Sequence, residues 1–417
     1  MYRKYMGLAS GIISIAIIAW IVIQLHALGT ESTLYIKNVS GDPSVLNDVV
    51  VSGLIQDKYH GQKFSITNDN VSQAFKAYTH YLDGQNGDSA EQEQVVNEEK
   101  INEFSIRRGS RPDDLGSRRR KNIYAIIEGS FGEMVYHTGV TTRSWAGNEE
   151  HNLYRIVKGE LYFTVDTDYG DNGKNGIFKV KDFYHQESDQ QVGKVDRIFT
   201  IDLDETNDVR VYGLEVVNDK IILITSGADE LKLYLFNPKN GALEDMQSIK
   251  VNEELINHYV EFKMFTNDNR LNIYFKNRLS QTPEQLENES TNYFNNKEID
   301  IITLKVTDTI DVENRTNVVF DRDRLVLIEV EDIVYIKDKL YFAALAYDHR
   351  RYPHKSQYNH YIFAYKGNED LYKGQLSTDI FEDYGTEMRN EAVVYDRIMN
   401  PINYDYRKID HLTIEAK

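Results

Sequence analysis

Seven basic residues fall within fifteen positions of the chain: Arg107, Arg108, Arg111, Arg118, Arg119, Arg120 and Lys121. Guanidinium and ammonium groups at that density attract anionic lipid headgroups or an anionic wall polymer, each contributing about 1 kcal/mol near a charged surface. Only Asp113 and Asp114 interrupt the block, which therefore carries +5, while residues 83–103 hold seven acids and one lysine, a balance of −6. The two halves nearly cancel. With their glycines and serines, residues 83–121 read as a polar insertion on the surface. A second set is Arg350, Arg351, Tyr352 and Tyr358, within DHRRYPHKSQYNHY. Tyrosine and arginine are enriched where proteins meet, so these four are candidates for a partner-binding rim.

Metal and nucleophile chemistry find less support. His349, His354 and His360 share that second segment, but spacings of 5 and 6 match no closed zinc pattern. Asp166, Asp168 and Asp171 imitate the start of a calcium loop, yet Gly170 stands where a ligand belongs and Ile177 occupies the place of the bidentate glutamate. A glycine-rich turn between two strands is the better reading. Asp202, Asp204 and Asp208 lack a glycine to bend their loop. No G-x-G-x-x-G, phosphate-binding G-K-[ST], G-x-S-x-G or H-E-x-x-H is found. Cysteine is absent, which excludes disulfides, thiolate-held zinc or iron–sulfur clusters, and a thiol nucleophile. No catalytic residue, metal or cofactor is assigned.

The elements that must carry these loops are strands. Residues 152–165, 211–225, 262–275 and 333–346 read alike: an alternating apolar run, a two-residue polar turn, and a second run rich in Tyr, Phe, Ile and Leu. The turns are Lys158-Gly159, Asn218-Asp219, Asp268-Asn269 and Lys337-Asp338, residues that tolerate positive φ and so predict hairpins. A third strand is expected after each, at 176–180, 231–241, 299–306 and 361–370. Leu161, Ile222, Ile273 and Leu340 are taken as equivalent, and they recur at a mean step of about 60 residues, which points to a propeller of about 6 blades, 5–7 being compatible. Segments 280–298 and 348–360 look like loop insertions between repeats. Leu34–Gly41 and residues 48–57 read as strands. Val71, Phe75, Tyr78 and Leu82 suit an amphipathic helix as well as a strand. Residues 411–416 read as a strand that would close the ring by completing a blade begun at the other terminus. A β-sandwich or tandem β domains is the alternative architecture.

The repeats resemble β-propeller domains over about residues 122–390, in particular the membrane-tethered extracytoplasmic propellers of Gram-positive bacteria. Neither a WD dipeptide nor a kelch double glycine narrows the resemblance to one family.

The tether itself is legible. Leu8–Leu25 is an uncharged apolar run of 18 residues, spanning roughly 27 Å as a helix against a hydrocarbon core of about 30 Å. Arg3 and Lys4 precede it, so the positive-inside rule predicts a cytoplasmic stub (1–6), a transmembrane anchor (7–28) and a body outside the plasma membrane (29–417). A cleaved signal peptide is the competing reading, without a small-x-small cleavage site. Gly7 and Gly11 form one G-x-x-x-G at the inner end. With 48 Lys+Arg against 66 Asp+Glu the chain carries −18, which argues against nucleic acid as a partner. The expectation is a non-enzymatic, membrane-anchored binding or scaffold protein that meets the bilayer through residues 7–28 and docks an envelope protein or surface ligand. A surface glycan or peptide hydrolase on a propeller scaffold is the alternative.

Overall fold

The computed structural model describes residues 34–56, 60–67, 70–77, 94–96, 99–109, 121–129, 132–142, 153–167, 171–180, 194–203, 209–227, 229–251, 260–277, 298–319, 325–348, 358–378 and 408–417. They are almost entirely strand. After β1 (Leu34–Gly41) and a single 3-10 turn (Pro43–Asp48), the chain forms antiparallel meanders, numbered here as units. Unit 1 contains β2 (Val49–Gln56), β3 (His60–Thr67) and β4 (Asn70–Ala77). Unit 2 is β5 (Gln94–Val96), β6 (Glu99–Gly109), β7 (Lys121–Gly129) and β8 (Gly132–Thr142). Unit 3 is β9 (Tyr154–Val157), β10 (Glu160–Phe163), β11 (Asn172–Val180) and β12 (Val195–Leu203). Unit 4 is β13 (Arg210–Val217), β14 (Lys220–Ser226), β15 (Glu230–Asn237) and β16 (Ala242–Lys250). Unit 5 is β17 (Val260–Asn267), β18 (Arg270–Asn277), β19 (Glu298–Val306) and β20 (Ile310–Val319). Unit 6 is β21 (Leu325–Ile336), β22 (Lys339–Asp348), β23 (Tyr358–Lys366) and β24 (Glu369–Thr378). The last strand, β25 (Lys408–Ala416), returns to pair with β2 and makes unit 1 four-stranded, like units 4 and 5; β8 pairs with β11, so units 2 and 3 form one eight-stranded sheet.

Both chain ends are stitched into the fold. β25 becomes the leading strand of unit 1, and β1 adds antiparallel to the outer edge of unit 6 beside β24. The expected closing strand at 411–416 thus forms. Gly41, at φ 82°, ends β1 where any Cβ would meet the Leu371 carbonyl oxygen at 2.1 Å. Leading strands lie side by side, β9 with β13, β13 with β17, β17 with β21, and β21 with β25. The result is a propeller-like all-β body rather than a sandwich.

The hairpin turns take the conformation their chemistry predicted. Lys158 and Gly159, Asn218 and Asp219, Lys337 and Asp338 all have positive φ, as does Asp268. The second-strand residues Leu161, Ile222, Ile273 and Leu340 are fully buried. Five apolar clusters among the described residues each draw on two successive units: 2 and 3, 3 and 4, 4 and 5, 5 and 6, and 6 with 1. Apolar side chains on both faces of units 3 to 6 therefore bury against the neighbouring sheets, which is what holds one unit to the next; among the described residues units 1 and 2 each share such a cluster with one neighbour.

Asn70–Ala77, which the sequence leaves open between helix and strand, is strand. Its residues pair with β3 along their whole length, which satisfies the backbone without helical bonds. Val71 sits 42% exposed at this outer edge. The expected polar insertion 83–121 needs correction: Gln94–Val96 and Glu99–Gly109 are strands β5 and β6 within it. Phe104 is buried and Ile106 packs on the same cluster, but the flanking charges hide that alternation in the sequence. Among the described residues no helix is long and apolar enough to cross a membrane, and the predicted anchor 7–28 lies outside them.

Candidate functional site

In an antiparallel meander, the first-to-second and third-to-fourth connections share one end. The second-to-third connections and the crossings to the next unit share the other. At the first end every link is four residues or shorter except that between β11 and β12. Ion pairs join these turns from unit to unit: Lys158 to Asp219 at 2.7 Å, Lys220 to Asp308 at 3.2 Å, and Lys337 and Lys339 to Asp48 at 2.8 and 2.6 Å. Asp48 is consequently held down to about 2, first by the hydrogen bond from Lys337. The opposite end carries the long links, of 11 residues between β6 and β7, 20 between β18 and β19, and 29 between β24 and β25. It is called the loop end below.

The leading strands are joined by charge and by stacking. Arg155 on β9 grips Glu215 on β13 through both nitrogens, at 2.7 and 2.5 Å. Tyr212 on β13 stacks on Phe262 of β17 at 4.5 Å, with the Arg210 guanidinium over the Tyr212 ring at 5.1 Å. From unit 5, Lys263 reaches Glu329 at 2.8 Å and the Val330 carbonyl at 3.2 Å. Lys276, almost fully buried, lies 3.7 Å from Glu261 and donates to the Leu327 carbonyl at 2.8 Å.

Where unit 6 meets unit 1, Asp332 accepts from its neighbour Ile333 N at 2.8 Å and from Ile414 N of β25 at 2.6 Å. Burial raises its carboxyl to about 6, and the carboxylates of Glu415 and Glu331 add to the rise. Glu331 meets His360 Nδ1 at 3.0 Å. A cavity of about 230 Å³ opens beside this junction, lined by Tyr35, Leu46, Val51, Ile66, Asn70 and Tyr372 among others.

The structure places the sequence candidates as follows. Arg107 and Arg108 end β6, opposite Tyr124 and Ile123, and Lys121 begins β7, so all three stand at the loop end. Arg111, Arg118, Arg119 and Arg120 lie outside the described residues, as do Arg350, Arg351, Tyr352, His349 and His354. Tyr358 opens strand β23 opposite Tyr347, and its strand also starts at the loop end. His360 is a correction: it is a buried strand residue bonded to Glu331, not a loop histidine. Asp166 and Asp171 are buried between β10 and β11, where Thr167 bonds to Val211 of unit 4; Asp168 is outside the described residues. Asp202, on β12, lies 4.0 Å from Lys174. Among the described residues no three His, Asp or Glu side chains gather around a metal position. The pairs across units escaped the sequence because partners such as Arg155 and Glu215 stand 60 residues apart.

No family model matches the chain, and no curated protein does. Among solved structures it is similar to a prolyl endopeptidase at 8% identity and a TM-score of 0.30, with 79% of this chain covered and 42% of the other. A lignostilbene dioxygenase of Pseudomonas brassicacearum shares 8% identity at a TM-score of 0.29, covering 81% and 65%. A levansucrase variant of B. megaterium shares 10% at 0.26, covering 81% and 91%. The chain thus spans less than half the endopeptidase and under two thirds of the dioxygenase. At these scores the likenesses carry no argument about activity.

Proposed function

We propose that the chain is a six-bladed, membrane-anchored extracytoplasmic binding or scaffold protein, held by residues 7–28 at the plasma membrane, whose loop end docks an envelope protein or surface ligand. The observation that supports this reading is the division between the two ends of the strands. Short turns cross-linked by ion pairs stiffen one end, while the long connections and both sets of candidate contact residues leave from the other. Binding residues concentrate on loops that a rigid scaffold positions. Three carboxylates on the leading strands join units, Glu215 by Arg155, Glu329 by Lys263 and Asp332 by backbone N–H groups, while Glu331 pairs with His360 and Glu261 with Lys276 inside their own units. This assigns them to structure and gives the hydrolase alternative no specific support.

The test is purification of the full chain from membranes after crosslinking. The expected result is an envelope protein that co-purifies and is lost when Arg350, Arg351, Tyr352 and Tyr358 are replaced by serine, but kept when the turn-end Asp219 and Lys239 are. A partner equally lost from both variants, or none at all, overturns the reading.

A further inference from the structure

We propose that the loop end of units 6, 1 and 2 faces the bilayer, with the basic ends of β6 and β7 against anionic lipid headgroups. This rests on the anchor reading above and gives it an orientation.

The first support is where the chain enters the fold. Leu34 pairs with Thr378, the last residue of β24, so β1 starts at the loop end and runs toward the turn end. Only residues 26–33 separate Leu25, the end of the apolar run, from Leu34. From Leu25 to Leu34 the chain reaches about 32 Å at most. A helix ending at Leu25 in the bilayer would therefore hold the loop end of unit 6 near the membrane surface.

The second is the way charge divides along unit 2. Arg107, Arg108 and Lys121 stand at the loop end of their strands. Glu99, Glu103, Glu128 and Glu133 stand toward the turn end. Three bases at one end, against four acids and Lys100 toward the other, give these strands a preferred orientation over an anionic surface.

The third is the composition of β1 to β4, between these two places, although β25 in the same unit adds Asp410 and Glu415. In the whole chain about one residue in six is Asp or Glu. The 32 residues of β1 to β4 contain neither, but include Lys37, Lys63 and Lys76. Lys37 and Lys63 are exposed.

The chain contains no cysteine, so an introduced one is labelled uniquely. Asn122→Cys and Glu128→Cys, both exposed, put a fluorophore at opposite ends of β7. The full chain is reconstituted in liposomes of phosphatidylcholine alone or mixed with phosphatidylglycerol, each carrying a quencher on the headgroup. Quenching at position 122 is expected to exceed that at 128 by about twofold or more with phosphatidylglycerol. The difference should shrink when salt rises from about 0.1 M to about 1 M, which shortens the screening length from about 10 Å to about 3 Å. Replacing Arg107, Arg108 and Lys121 by glutamine should remove the dependence on phosphatidylglycerol. Stronger quenching at 128, or quenching at 122 indifferent to lipid charge, overturns the proposal. Emission at 122 that responds to soluble poly(glycerol phosphate) and not to lipid overturns it in favour of a wall polymer. Flotation with neutral liposomes at high salt reads the anchor separately: a chain that fails to float sinks the anchor and the orientation together, whereas one that floats with 122 unquenched sinks the orientation alone.

Discussion

Asp332 is the residue whose protonation reports on ring closure. It bridges β21 and β25 through Ile414 N, and burial lifts its carboxyl to about 6. The other acids facing it are Glu331, engaged by His360, and Glu415. Because the folded value lies above the unfolded one, the stability it contributes is fully present below about pH 4 and is lost as pH rises through about 6. That displacement corresponds to on the order of 3 kcal/mol. Asp332→Asn keeps an acceptor for Ile414 N without the charge. Denaturant midpoints measured between pH 5 and 7.5 should fall for the parent and stay flatter for the variant, which is the more stable at pH 7.5; an unchanged slope refutes the assignment. The pair of Arg155 and Glu215 tests a different physics. Glu215 is only 7% exposed, so Arg155→Ala leaves a carboxylate buried without its cation and should cost about 3 kcal/mol. The double change Arg155→Met, Glu215→Leu should cost clearly less. Equal losses in a double-mutant cycle would show that the pair is not coupled.

At the scale of elements, unit 2 sets like charges against each other. Glu103 lies opposite Glu128, and Glu128 opposite Glu133, three glutamates at paired register positions across adjacent strands. Directly opposed like charges destabilise a sheet, so Glu128→Lys should add about 0.5–1 kcal/mol to stability, read as a higher melting temperature. A lower one would mean that the three glutamates serve a purpose that the lysine removes. The same strands explain why unit 2 was harder to read than units 3 to 6. In those units the turn chemistry is local: Asn218-Asp219 and Lys337-Asp338 can adopt positive φ, and each is followed by an unbroken apolar run. In β6 only Ile101, Phe104 and Ile106 are apolar among eleven residues, and a bulge between Ile101 and Glu103 breaks the period of two. For Val71 and Phe75, a spacing of four keeps residues on one face of a helix and equally on one face of a strand, and only the partner strand β3 decides. Contacts between units, such as Lys263 with Glu329 across 66 residues, have no local signature at all.

For the whole molecule, the two chain ends tie unit 6 to unit 1 by unequal means. β25 buries Ile409, Leu412 and Ile414 in the cluster between units 6 and 1, and Lys417 N bonds to the Asp48 carbonyl at 3.0 Å. β1 buries only Leu34, half-buries Ile36 and leaves the rest of its length exposed. Burial of three aliphatic side chains is worth about 5–8 kcal/mol, whereas β1 gains about 2–3 kcal/mol. The leading strand should therefore act as the clasp and the outer strand as a cover on an open edge. Ile414→Ala is expected to cost about 2–4 kcal/mol in denaturant unfolding, and Ile36→Ala about 1 kcal/mol. A chain ending at residue 407 exposes the β2 edge, with its buried row of Val49, Val51 and Ile55, and should lose its single cooperative transition. A synthetic peptide of residues 408–417 should restore that transition by pairing antiparallel with β2, as an added strand does at any open sheet edge. If the truncated chain unfolds as cooperatively as the parent, or if the Ile36 change costs as much as the Ile414 change, closure does not depend on the leading strand, and the apolar faces between units alone hold the ring.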